Sequence, residues 1–194
     1  MADTQEFTAN ESTRFMALLG TCITEWAWIE EEAYEVCQLI LRTAPEHTSI
    51  IYNRTPTLET RLNLADELMG TIFPKPEPGK HPHFDAGVWS KLIVEIKEEM
   101  PLRNQLAHSP TGAGVWGFMD EKTGDISEVV EVKMQSSPHN YEMSRPNKPK
   151  KRTLLYEDLE KHLQAVRSLH ERLQKFRRYV LPAHVAKLSS ESET

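Results

Sequence analysis

The sequence predicts a mainly α protein, a four- to five-helix up-and-down bundle with a β-hairpin inserted before the last long helix. Three observations carry that expectation. Apolar residues recur every three or four positions over three long segments and one shorter one, the period of an amphipathic helix. Proline-containing stretches punctuate these segments. Between Val115 and Met134 the pattern changes to β-branched and aromatic residues around a glycine-containing turn.

The first helix is expected from Glu11 to about Arg42, where Phe15, Leu18, Leu19, Cys22, Ile23, Trp26, Ile29, Ala33, Val36, Cys37 and Ile40 form one stripe. Thr8 and Glu11 have capping-box spacing at its start, and Pro45 marks its end. A short apolar patch follows at Ile50, Ile51 and Tyr52. Leu58, Leu62, Ala65, Leu68 and Met69 then predict a second helix from Thr57 to Met69, closed by Gly70. Residues 74–83, PKPEPGKHPH, hold four prolines and a glycine, which excludes regular structure and predicts an exposed connection.

A third helix is expected from about Asp85 through Val88, Leu92, Ile93 and Ile96 to Ala107, with Pro101 kinking it and Pro110 forcing Ser109 out of helical conformation. VWGFMD, a DEKTGD turn and ISEVVEVKM predict the hairpin. Residues 136–152 read as a polar loop ending in a basic cluster, with a short third strand suggested at Thr153–Leu155. The last helix, from about Glu157 to Val180, repeats Leu159, Leu163, Val166, Leu169, Leu173, Phe176 and Val180 at helical spacing and is charged on its other face.

A chain of 194 residues suits one well-buried core. The expected organisation is a single domain over residues 1–188, with the hairpin and basic loop inserted at 113–155, and a disordered tail at 189–194. The N-terminus is polar and acidic, and no segment approaches the length of a membrane span, so a cytoplasmic protein with no membrane partner is expected. Cys22 and Cys37 lie fifteen residues apart on one expected helix, about 22 Å at helical rise and too far for a disulfide. They read as reduced core residues.

Net charge is −6, but it is unevenly placed. From Met143 to Lys187 there are twelve Lys and Arg against four Asp and Glu, a net of +8, which leaves −14 on the rest of the chain. Two readings compete. Either the chain has a basic face for a polyanion, or cations of the last helix pair with the acidic first helix across the bundle.

The stretch RNQLAHSP sets Arg103, Asn104 and His108 at the end of the third helix. Shuffling this composition gives R-N-x-x-x-H in about one sequence in a hundred. Arginine offers a fixed fork of donors for phosphate oxygens, histidine titrates nearest neutrality, and asparagine can orient either. The simpler alternative is that the cations complement the negative end of the helix dipole while Asn104 satisfies frayed carbonyls. Five residues of ideal helix turn about 500°, leaving Arg103 and His108 about 140° apart. A distorted helix end, or a second copy of the chain, must therefore complete any joint site. Looser arginine–histidine spacings at Arg42/His47, Arg177/His184 and Arg178/His184 lack the asparagine.

With RNQLAHSP ending the third helix and WAWIE in the long first one, the chain resembles the HEPN superfamily. The likeness covers roughly Glu11 to Val180, and its one specific motif is the R-N-x-x-x-H of Arg103, Asn104 and His108. The resemblance implies a helical bundle, often dimeric, acting as a metal-independent endoribonuclease in toxin–antitoxin, phage-defence or RNA-processing systems. In that chemistry the 2′-hydroxyl attacks the adjacent phosphorus, and a dimer cleft would offer two copies each of Arg103 and His108 as base, acid and charge stabiliser. Lys148, Lys150, Lys151 and Arg152 would track RNA phosphates. No cofactor or metal is implied. The alternative is a non-catalytic module of the same kind, binding a nucleotide, an antitoxin or a nucleotidyltransferase partner. The hairpin, and a proline two residues before the arginine, depart from the pattern.

Other candidates are weaker. His81, His83 and Asp85 form H-x-H-x-D, without an evident fourth metal ligand. Glu30, Glu31 and Glu32 read as a solvated acidic face. Trp26 lies on the apolar stripe, and Trp28 points to another side of the same helix. No glycine-rich phosphate loop and no G-x-S-x-G occurs, which argues against a nucleotide hydrolase or a serine esterase.

Overall fold

The computed structural model describes residues 2–73, 84–108, 111–119, 126–134, 154–183 and 185, with side chains over 10–73, 86–108, 154–183 and 185. Within these residues the protein is mainly helical: α1 (Ala2–Leu41), α2 (Pro45–Arg54), α3 (Leu58–Ile72), α4 (Phe84–His108) and α5 (Tyr156–Lys175). A π-helical stretch, Phe176–Val180, continues α5. The backbone of β1 (Thr111–Met119) and β2 (Ile126–Met134) runs in antiparallel register, Thr111 opposite Met134 and Met119 opposite Ile126. The expected turn between them, residues 120–125, lies outside the described residues, as do the basic loop and the tail.

Several boundaries differ from the expected ones for local reasons. Helix α1 begins at Ala2, so Thr8 and Glu11 stand inside it instead of capping it. Pro45 opens α2, where its missing N–H costs nothing, and the patch at Ile50–Tyr52 is helical. The link between α1 and α2 is tight: Arg42 adopts φ 51°, a left-handed conformation that costs a non-glycine residue about 1–2 kcal/mol. Its amide donates to the Gln38 carbonyl at 3.1 Å, closing the end of α1.

Helix α3 has the anticipated start at Thr57, whose hydroxyl accepts from the Thr60 amide while the Thr60 hydroxyl accepts from the Thr57 amide, a reciprocal cap. Its end passes Gly70 and reaches Ile72, which is buried. Burying Ile72 outweighs the ~1 kcal/mol penalty of a glycine within a helix. Pro101 lies inside a continuous α4. Having no N–H, it leaves the Lys97 carbonyl without its usual intrahelical donor. Of the suggested third strand only Leu154 is bridged, and Thr153 is outside the described residues.

Two compact units emerge, each built from separate stretches of chain. One comprises residues 1–24 and 102–164, the other 25–101 and 165–194. The first is centred on Phe15, Leu19, Cys22, Leu106, Leu154, Leu159 and Leu163. There the Cys22 thiol donates to the Leu159 carbonyl at 3.6 Å, and Arg14 lies 5.5 Å over the Tyr156 ring. The second has a larger core, including Trp26, Ile29, Val36, Leu62, Met69, Leu92, Ile96, Leu173 and Phe176. The stripes expected on the first and last helices supply most of these side chains. Ile23 is an exception, standing 48% exposed.

Among the described residues no helix is long and apolar enough to cross a membrane.

Candidate functional site

Arg103, Asn104 and His108 all lie in the last two turns of α4, in the unit built from residues 1–24 and 102–164. Their neighbours Leu106 and Gln105 are buried, which anchors this end of the helix. Leu102 packs on the same core. Pro101, Asn104, Ala107 and His108 are exposed on the remaining surface, and Arg103 is half-buried.

Helical geometry orders these residues. Asn104 and His108 are four apart, only ~40° from one another around the axis, so they share a face. Arg103 stands ~100° from Asn104. Its Nη1 nevertheless donates to Asn104 Oδ1 at 3.2 Å, which turns the guanidinium toward the face that carries His108. Asparagine is thus the element that ties the arginine head to the histidine side. Because α4 stays helical through His108, the distortion that would bring Arg103 and His108 fully together in one chain does not occur before Ser109, which lies outside the described residues.

The electrostatics separate Arg103 from the paired arginines of the last helix. Among the described residues neither Arg103 nor His108 is paired with a carboxylate, nor is Arg42, Arg54 or Arg178, whereas three arginines of the last helix are used internally. Arg167 Nε donates to Glu25 at 2.8 Å. Arg172 grips Glu95 through both terminal nitrogens, which raises the guanidinium pKa and holds the Glu95 carboxyl below its usual range. Arg177 forms a two-pronged pair with Glu32, aided by Gln174 Nε2 at 3.4 Å. These pairs all lie within the unit containing residues 25–101 and 165–194. Of the two readings of the basic last quarter, ion pairing holds for these three arginines.

The acidic run of α1 is correspondingly corrected. Glu32 is 6% exposed and bound by Arg177, Glu30 pairs with Arg61 at 3.2 Å, and Glu31 alone is the solvated carboxylate expected of all three. No local pattern marks these pairings, since the partners stand 31 and 145 residues apart in sequence. A His170–Glu25 contact at 3.4 Å, with His170 stacked against the half-exposed Trp28, was equally invisible in the sequence. Trp26 is a core residue.

Lys148, Lys150, Lys151 and Arg152 lie outside the described residues, as do His81 and His83. Among the described residues no group of three His, Cys, Asp or Glu side chains is placed to hold a metal ion. Both cysteines are buried, and burial pushes the Cys37 thiol up to about 12.

Comparison with family models, with curated proteins and with solved structures found no match for this chain.

Proposed function

We propose that this protein is a metal-independent endoribonuclease of the HEPN type, whose active site is completed by a second copy of the chain. The observation that supports this most is the Arg103–Asn104 hydrogen bond, which draws an arginine without a carboxylate partner among the described residues toward the exposed face holding His108. A charge kept available beside a histidine suits a phosphodiester. His108 takes the proton of the 2′-hydroxyl as it attacks the adjacent phosphorus. The guanidinium stabilises the crowded phosphate, and a second His108, from the other chain, protonates the departing 5′ oxygen.

In this reading the five helices form an up-and-down bundle, β1 and β2 close as a hairpin beside the motif, and Lys148, Lys150, Lys151 and Arg152 follow the RNA backbone. A neutralising antitoxin or a nucleotidyltransferase would then be the partner class, in the cytoplasm. The ~140° between Arg103 and His108 on a helix that stays regular favours one rival, a non-catalytic module that binds its partner through this face.

The test is cleavage of a labelled RNA by the full chain in EDTA, with a 2′-deoxy-substituted strand of the same sequence alongside. The proposal expects cut RNA ending in 2′,3′-cyclic phosphate and an intact deoxy strand. Cleavage of both strands, or of neither by a chain shown to be dimeric, overturns it.

A further inference from the structure

A second site of a different kind lies in the unit containing residues 25–101 and 165–194. A partly open cavity of about 410 Å3 is bordered by one face of α1, by α2 and by the start of α3. That volume falls within the range of small-ligand pockets. Its walls are two tyrosine rings set edge to face, Tyr34 and Tyr52, with centroids 5.5 Å apart. Arg61 lies 5.2 Å over the Tyr52 ring and is pinned there by the Thr55 carbonyl at 3.0 Å and by Glu30 at 3.2 Å.

Both tyrosine hydroxyls of this lining are committed to backbone carbonyls. The Tyr52 hydroxyl donates to the Glu30 carbonyl at 2.8 Å, and the Tyr34 hydroxyl donates to the Pro45 carbonyl at 3.1 Å. The Asn53 amide nitrogen donates to Ser49 Oγ at 2.9 Å. Both phenol hydrogens are thus spent within the protein, while acceptors remain: both phenol oxygens, Asn53 Oδ1, the second Glu30 oxygen and the Glu31 carboxylate. Among the described residues Glu31 forms no ion pair, although its charge acts on Arg177 beyond salt-bridge distance. Glu30 and Arg61 neutralise one another, so Glu31 leaves the lining with a net charge of −1. A carboxylate without an ion pair, free acceptors beside it and aromatic walls together suit a positively charged donor.

We infer that this cavity binds an organic cation, an alkylammonium or guanidinium group, seated against the tyrosine rings and paired with Glu31. The same chemistry is carried by a free polyamine and by a lysine or arginine side chain of a partner protein. Binding here does not rest on the ribonuclease reading, because Arg103 and His108 lie in the other unit.

Titration calorimetry on the full chain separates the sources, using spermidine, agmatine, an end-capped Gly-Lys-Gly peptide and uncharged 1,4-butanediol as probes. At least one cationic probe should bind with a Kd of about 1 mM or tighter, weakening as salt is raised, and the diol should not bind. Tighter binding by spermidine or agmatine assigns the site to a free polyamine, and tighter binding by the peptide assigns it to a protein side chain. Glu31→Gln, at an exposed position, should weaken the cation about tenfold, and Asn53→Asp should tighten it. Equal binding by the diol, unchanged affinity in both variants, or no saturable binding by any cation overturns the proposal.

Discussion

Asn104 is the residue on which the motif turns. Arginine and histidine five apart diverge on a regular helix, and the asparagine between them bridges the gap by accepting from Arg103 on the face it shares with His108. Asn104 is exposed, so replacing it changes little in the core. Asn104→Ala should lower RNA cleavage about 10- to 100-fold while leaving the melting temperature unchanged, measured on the same preparation. A parallel fall in both would mean that Asn104 only supports the helix end. The motif itself was legible in the sequence, because its residue types and spacing are local. The bond that organises it was not, since an ideal helix points Arg103 away from Asn104.

Cys37 gives a second expectation at this scale. Its ordinary value of 9.0 is pushed up to about 12 by burial. The fold thus favours the neutral thiol, and the unfolded chain loses that proton first. Above pH ~9 the unfolded state binds fewer protons, so stability falls as pH rises from about 9 toward 12, by up to about 1.4 kcal/mol per pH unit. Below pH 9 the contribution is fully present. Urea midpoints measured at pH 8 and pH 10 should therefore fall more steeply for the parent chain than for Cys37→Ala.

Among the elements, α5 and its π-helical continuation show most clearly what a sequence pattern conveys and what it omits. Leu159, Leu163, Val166, Leu169, Leu173 and Phe176 are all buried as their spacing requires. The charged face was visible as a charged face, but its partners were not. Arg177 meets Glu32 of α1 and Arg172 meets Glu95 of α4 through folding alone. Removing one member of the tighter pair strands the other. Arg177→Ala leaves the Glu32 carboxylate, 6% exposed, without its cation and should destabilise the chain by about 3 kcal/mol in urea unfolding. Substituting Glu32 and Arg177 together by apolar residues of similar size should recover most of that loss.

The missed element, α2, and the shifted helix ends share one cause. Proline and glycine were read as stops, yet proline is also a favourable first helical residue, and burial of Ile72 carries α3 past Gly70. Local punctuation marks where a helix can change. Tertiary burial decides whether it does.

For the molecule as a whole, charge and function separate. Net charge is −6 and the last quarter is basic, but Arg167, Arg172 and Arg177 are each neutralised by a glutamate within their own unit. Long-range attraction of a polyanion therefore cannot be credited to them. Among the described arginines that form no ion pair, Arg42, Arg54, Arg103 and Arg178, it is Arg103 that shares the motif with His108. The mainly helical composition was legible because amphipathic periodicity is written into every long segment. The division into two compact units was not, since α1, α4 and α5 each contribute residues to both and carry no break in their pattern.

The most direct measurement is the rate of RNA cleavage in EDTA by His108→Ala beside the parent chain, with both melting at the same temperature. His108 is exposed, so the variant should fold as the parent does. A loss of at least about 100-fold is expected if His108 moves the proton of the reacting hydroxyl. An undiminished rate in the folded variant would contradict the assignment of Arg103, Asn104 and His108 as the active site.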